Sequence, residues 1–174
     1  MIEDKTDENN KKLSELFHEL VKLNDHFEVI KLLLQDGRVD PTAQNNYAIK
    51  RVSENGHLEI FRLLLQDSRV DPSAQDNYAI KRASENGHLE IVRLLLEDGR
   101  VDPSAGDNYA IRQASENGHL EIVRLLLQDS RVDPSAFNNY AIRGTSENGH
   151  LEIVRLLLQD SRVDPAAWDN YAIK

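Results

Sequence analysis

The tetrapeptide Asn-Tyr-Ala-Ile begins at Asn46, Asn77, Asn108, Asn139 and Asn170, a strict spacing of 31 residues. Self-similarity at such a period constrains the fold more than any composition can, because each copy must adopt the same shape and meet its neighbours in the same way. Residues 77–107 and 108–138 differ at only six of 31 positions. Residues 46–76, 77–107, 108–138 and 139–169 are full copies, and 170–174 start a further one.

Each copy reads as two helices and a loop. Over 47–54, Ala48, Ile49 and Val52 fall on one stripe, with Tyr47, Lys50, Arg51 and Glu54 on the other face. Asn45 and Asn46 are placed to cap this helix and Gly56 to stop it. A second helix is expected over 57–66, where Leu58, Ile60, Phe61, Leu63, Leu64 and Leu65 nearly encircle the axis. Such a helix must be covered on several sides. Glu59 and Arg62 form the remaining polar edge. Arg-Val-Asp-Pro-Ser-Ala at 69–74 closes the copy as an extended segment and turn. Two short helices cannot bury this surface alone, so copies must stack side by side. The fold class is all-α: a helix-turn-helix repeat solenoid.

The stretch 26–45 aligns with 57–76, but the helix before it differs. Leu13, Leu16, Phe17, Leu20 and Val21 make one apolar stripe, opposite Lys12, Glu15, Glu19 and Lys22. One dry side and one wet side suit an N-terminal cap, so 9–45 reads as a capping repeat and 1–8 as an end expected to fray.

Composition sets limits on function. The 174-residue chain carries a net charge of −9 with 40% hydrophobic and 29% charged residues, as a soluble folded domain does. Its acidity opposes broad attraction to nucleic acid or to anionic membranes. No cysteine is available for disulfides or thiolate metal sites. The first ten residues are acidic and polar, unlike a secretory signal, and no apolar run approaches membrane-spanning length. An intracellular, cytoplasmic protein is expected.

The segment Gly-His-Leu-Glu-Ile-Val-Arg-Leu-Leu-Leu at 87–96, 118–127 and 149–158 resembles the inter-helix turn and second helix of ankyrin repeats. Ala83-Ser84 and Ala114-Ser115 resemble the small residues that let ankyrin first helices pack closely. The resemblance spans nearly everything beyond the cap helix. It is incomplete: the family runs to 33 residues and opens its first helix with Thr-Pro-Leu-His, where this chain has Tyr-Ala-Ile-Lys or Tyr-Ala-Ile-Arg. The hydrogen bonds of that Thr and His must be replaced, with Tyr, Asn and Arg as candidates, and the shorter loops are expected to project bluntly without hairpin pairing. The resemblance implies protein binding through loop tips and the concave face of the first helices, with no cofactor and no catalysis.

The chemistry-bearing residues are consistent with that expectation. His57, His88, His119 and His150 recur at one place per copy, with His26 matching in the cap. Stacking separates equivalent atoms by roughly 8–10 Å, too far for one metal ion to bridge. They read as turn residues, and no nucleophile, metalloprotease, phosphate-loop or dinucleotide motif is present.

Where copies disagree, packing does not dictate the residue. Gln44, Gln75, Gly106, Phe137 and Trp168 share one position, at the loop tip before each first helix. Phe137 is expected to contact a partner, whereas Trp168 suits either a partner contact or a cover over the end of the core. A second variable line runs through Arg51, Arg82, Gln113 and Gly144, beside the constant cations Lys50, Lys81, Arg112 and Arg143 and the tyrosines Tyr47, Tyr78, Tyr109 and Tyr140. The arginines and Gln113 are expected to face a partner and the tyrosines to stack between copies. Gly144 is unfavourable within a helix by about 1 kcal/mol, and beside Phe137 it suggests a pocket. A second function is end-to-end self-association through an uncapped C-terminal face.

Overall fold

The computed structural model describes residues 2–166, with side chains from residue 8 onward. Trp168 and the start of the fifth copy lie outside the described residues. Helix α1 (Ile2–Leu20) leads into α2 (Phe27–Asp36). Four helix pairs follow: α3 (Ala43–Asn55) with α4 (Leu58–Leu65), α5 (Ala74–Glu85) with α6 (Leu89–Glu97), α7 (Ala105–Glu116) with α8 (Leu120–Leu126), and α9 (Ala136–Glu147) with α10 (Leu151–Leu157). No strand occurs among the described residues, so the loops project without hairpin pairing. Helix α1 begins at Ile2, ahead of the start near Asn9 read from the sequence.

The expected stripes form the core. Ala48, Ile49 and Val52 on α3 are fully buried, as are their counterparts Ala110, Ile111 and Ala114 on α7. From the second helices come Ile60, Phe61 and Leu64, and each loop adds one valine, Val70 or Val101 for example. First helices pack closely on the first helices of the adjoining copies, as alanine at their contact allows. A buried isoleucine contributes roughly 1.5–3 kcal/mol by leaving water, and each copy relies on its neighbour for that burial.

The start of each first helix departs from the sequence reading. Gln44, Asn45 and Asn46 are all left-handed, as are their equivalents up to Phe137, Asn138 and Asn139, with φ between 54° and 65° throughout. Right-handed helix resumes at Tyr47. Left-handed backbone costs an L-residue about 1–2 kcal/mol, least for Asn and Asp, and the second and third positions are always Asn or Asp. The third asparagine does not cap its own helix. Its Oδ1 accepts the backbone N–H of the aspartate in the following loop: Asn46 from Asp71 at 2.8 Å, Asn108 from Asp133 at 2.7 Å. Asp133 Oδ1 in turn accepts the N–H and hydroxyl of Ser135. This clamp pins successive loops together.

Two further contacts repeat at the junctions between full copies. His88 Nε2 meets the Glu54 carbonyl at 2.9 Å, and Asn86 Nδ2 donates to the same oxygen at 2.8 Å. His119 with Asn117 on Glu85, and His150 with Asn148 on Glu116, repeat the pattern. Arg100, Arg131 and Arg162 each donate to the valine carbonyl of the preceding loop at 2.9 Å, steadied by Asp98, Asp129 and Asp160. The guanidinium beside it holds each of these carboxyls below its ordinary range. Asn, His and Arg therefore supply the cross-links that the missing Thr and His of the familiar motif would have made.

The histidine also explains the glycine two residues after the carbonyl it meets. Gly118 has φ +82°, and a Cβ there would lie 2.6 Å from the His150 ring of the next copy. Gly149 has φ +75° and nothing within 4 Å. Gly118→Ala and Gly149→Ala share the left-handed cost, but only the first displaces a histidine from its carbonyl. Chemical denaturation is expected to show Gly118→Ala as the more damaging by about 1 kcal/mol; equal losses would contradict this role for the ring.

The cap contains a buried histidine of another kind. His18 is 6% exposed, packs against Phe17 and Tyr47, and finds no hydrogen-bond partner for Nε2 among the described residues. Burial, then the charge of Lys22, lowers its pKa, against weaker opposing effects of Asp40 and Glu19. The folded state holds the neutral ring, so its contribution is complete above the unfolded pKa of about 6.5 and falls as the pH drops below it. Melting temperatures between pH 7.5 and 5.5 are expected to fall further for the wild type than for His18→Phe. Parallel curves would argue against the effect.

Candidate partner-binding surface

The variable tips and the cationic line, separate in the sequence, form one surface in the fold. The cation of each first helix reaches the tip residue that leads into the next first helix. Lys50, only 8% exposed, donates to Gln75 Oε1 at 2.6 Å and lies 5.8 Å from the Tyr78 ring centre. Burial lowers its pKa. At the following junction Lys81 Nζ would be 3.6 Å from a Cβ on Gly106, and it pairs with Asp76 at 2.7 Å. At the third, the Arg112 guanidinium stands 4.5 Å from the Phe137 ring centre, 5.3 Å from Tyr140 and 5.8 Å from Tyr109. Its N–H groups donate to the carbonyls of Asp107 at 2.9 Å and Gly106 at 3.0 Å, the left-handed turn at the start of its own helix. Arg143 repeats the stacking on Tyr140 at 5.9 Å. Its counterpart tip, Trp168, lies outside the described residues.

Phe137 is 58% exposed. Its position in a left-handed turn lifts the ring out of the loop, and the Arg112 plane holds one side of it. Guanidinium stacked on an aromatic ring is worth about 0.5–1 kcal/mol at an exposed site. The result is an ordered apolar ring standing on a fixed cation.

The inner line is arranged around glutamates that the sequence reading placed on this face without assigning them a role. Arg51 pairs with Glu54 and Arg82 with Glu85, both at 2.5 Å, and Gln113 Nε2 donates to Glu116 at 3.0 Å. From the next copy, the Tyr109 hydroxyl donates to Glu85 at 3.0 Å and that of Tyr140 to Glu116 at 2.9 Å. Glu85 raises the pKa of Arg82. Burial first, then Glu85, raises that of Tyr109. The tyrosines thus join copies through their hydroxyls. A glutamate at every fourth residue after a cation was the available signal, but its tyrosine partner is 24 residues ahead and visible only in the fold.

Gly144 does not open a pocket. A Cβ there would meet Glu116 Cβ at 3.3 Å and Cγ at 3.4 Å, so the stem of Glu116 already fills the space beside Tyr140. This corrects the expectation of a cleft between Gly144 and Phe137. Among the described residues no group of three His, Cys, Asp or Glu side chains could hold a metal ion, and no helix is long and apolar enough to cross a membrane.

Stacked helix pairs, one repeated junction and a ridge of tips beside the first helices define a helical repeat solenoid. The family model for ankyrin repeats matches three overlapping stretches, residues 17–107, 53–138 and 82–169. The chain belongs to the ankyrin repeat family. Ankyrin repeats are generally protein–protein interaction modules and typically non-enzymatic scaffolds. No curated protein matches the chain.

The geometry separates organised from solvated arginines. Arg112→Lys removes the stacked plane and one of two carbonyl contacts, and is expected to cost about 1 kcal/mol in thermal or chemical unfolding. Arg124, which faces Glu121 at 3.6 Å on an exposed helix surface, should tolerate the same change within about 0.5 kcal/mol. Indistinguishable losses would show that the Arg112 stack is not structured in solution.

Proposed function

We propose that this chain acts by binding another protein, through the first-helix face and the loop tips toward its C-terminal half, rather than by catalysis. The observation that carries the reading is Phe137, an exposed aromatic side chain held on Arg112 at a position where the preceding copies have Gln or Gly. Interface energy concentrates in ordered aromatic and arginine side chains, and holding them in place beforehand lowers the entropy lost on binding. Gln75 and Gly106 lie on the same ridge, and Trp168 is the equivalent residue in the sequence. Arg51, Arg82, Gln113, Gly144, Lys81, Arg112 and Arg143 line its inner side, most of their charges answered by neighbouring carboxylates, carbonyls or rings. A partner would therefore meet a charge-balanced, aromatic surface rather than a cationic one, which favours protein over nucleic acid.

Affinity capture with the wild-type chain, Phe137→Ala and Arg124→Ala tests the proposal. A specific partner is expected to be retained by the wild type and Arg124→Ala, and to bind Phe137→Ala at least tenfold more weakly, with all three proteins equally folded. A partner indifferent to Phe137 but lost with Arg124 would place binding on the opposite face and overturn the assignment.

A further inference from the structure

The glutamates of successive first helices share a position but not a charge balance. Arg51 pairs with Glu54 and Arg82 with Glu85, and Arg82 also donates to the Tyr109 hydroxyl of the following helix at 3.5 Å. Each of these carboxylates has a counter-ion on its own helix. Glu116 stands in the same place on α7, but Gln113 stands where the arginine was. Gln113 Nε2 donates to it at 3.0 Å and the Tyr140 hydroxyl at 2.9 Å, both to Oε2. Neither donor is charged. Oε1 accepts no hydrogen bond among the described residues, and no cation there pairs with this carboxylate.

The surroundings hold Glu116 in place without covering it. A Cβ on Gly144 would lie 3.3 Å from Glu116 Cβ, so residue 144 is a position of the following helix that faces this stem. As glycine it makes no cavity, but it also sets no side chain beside the carboxylate, which stays partly exposed. Tyr140 joins the carboxylate to the ridge, with its hydroxyl on Glu116 and its ring centre 6.1 Å from that of Phe137. Arg112 cannot serve both places, since its N–H groups are directed to the carbonyls of Asp107 and Gly106.

A carboxylate fixed by neutral donors keeps its charge, and a partner's cation would meet it with little further ordering of this chain. A guanidinium suits the place better than an ammonium. Its plane can bond the carboxylate through its edge while its face lies along a tyrosine, as Arg82 does between Glu85 and the Tyr78 ring 5.2 Å away. The net charge of −9 favours the approach of a basic segment and opposes an anionic one.

We infer that the protein partner presents an arginine to Glu116, in the role that Arg51 and Arg82 fill within the earlier copies. The inference rests on the partner surface proposed above and names the chemistry of what binds there: a segment that carries an arginine near the side chain that meets Phe137.

Selection of random peptides displayed on phage against the wild-type chain tests it. Dissociation constants of the recovered peptides are then measured for the wild type, Phe137→Ala, Glu116→Gln and Gln113→Arg. The peptides are expected to contain an arginine whose replacement by glutamine weakens binding to the wild type about fivefold. Against Glu116→Gln the same replacement should change binding by less than about twofold. Gln113→Arg supplies the counter-ion from within and should behave in the same way. The effect of the peptide's arginine should shrink as salt rises, and lysine in its place should recover only part of it. Glutamine at 116 still accepts the two hydrogen bonds, and arginine at 113 repeats Arg82, so both variants are expected to fold; circular dichroism checks this.

Peptides that need Phe137 but contain no such arginine would overturn the inference and leave the partner surface standing. An arginine that matters equally to the wild type and to Glu116→Gln would overturn it too, by placing its carboxylate elsewhere. Lysine serving as well as arginine, or the recovery of no peptide at all, would do the same. Peptides coupled to Glu116 yet indifferent to Phe137 would support the arginine contact while removing the anchor proposed above.

Discussion

The structure depends on one carbonyl oxygen per copy. At the end of each first helix, the backbone oxygen of Glu54, Glu85 or Glu116 accepts a histidine ring nitrogen and an asparagine amide from the following copy. Helix ends leave their last carbonyls unsatisfied, and a buried acceptor without a partner is costly. Supplying both donors from the next copy turns that requirement into a rule for placing helix against helix. The glycine two residues after that carbonyl follows from it, because a Cβ on Gly56, Gly87 or Gly118 would occupy the space of the incoming ring. Hydrophobic contact makes the copies cohere, but it has no direction; the shared carbonyl sets the angle and spacing at which they do so.

The left-handed turn before each first helix links architecture to surface. Its third residue, always Asn, clamps the next loop, and its first residue stands outside that clamp, exposed at the ridge. A position that the clamp requires but does not touch can vary from Gln to Gly to Phe without disturbing the stack. The cation 25 residues earlier, on the preceding first helix, reaches this residue by hydrogen bond, close approach or ring stacking according to what it finds there. Each patch of the surface thus joins one first helix to the loop that leads into the next.

Most charges on this surface are already answered within the molecule. Arginines lie on tyrosines and glutamates, tyrosine hydroxyls on glutamates, and Arg112 on backbone carbonyls and aromatic rings. What remains for a partner is mainly shape and apolar area, concentrated at Phe137.

Much of this was legible in the residues. The 31-residue period and the two apolar stripes determine stacked helix pairs, because no single copy can bury Ile49, Ile60 and Leu64 by itself. Recurrence of the histidines marked them as parts of the repeat, and variation at Gln75, Gly106 and Phe137 marked the ridge. Tertiary structure decided the rest. Asn46 reads as a helix cap until the loop 25 residues ahead arrives at its side chain. Gly144 reads as an opening until Glu116 of the preceding copy fills it. Arg112 and Phe137 read as members of two lines until stacking brings the rings within reach. Local pattern determines what each segment becomes, whereas contacts between residues some 25 to 34 positions apart depend on how far one helix pair is rotated against the next, and only the assembled stack fixes that rotation.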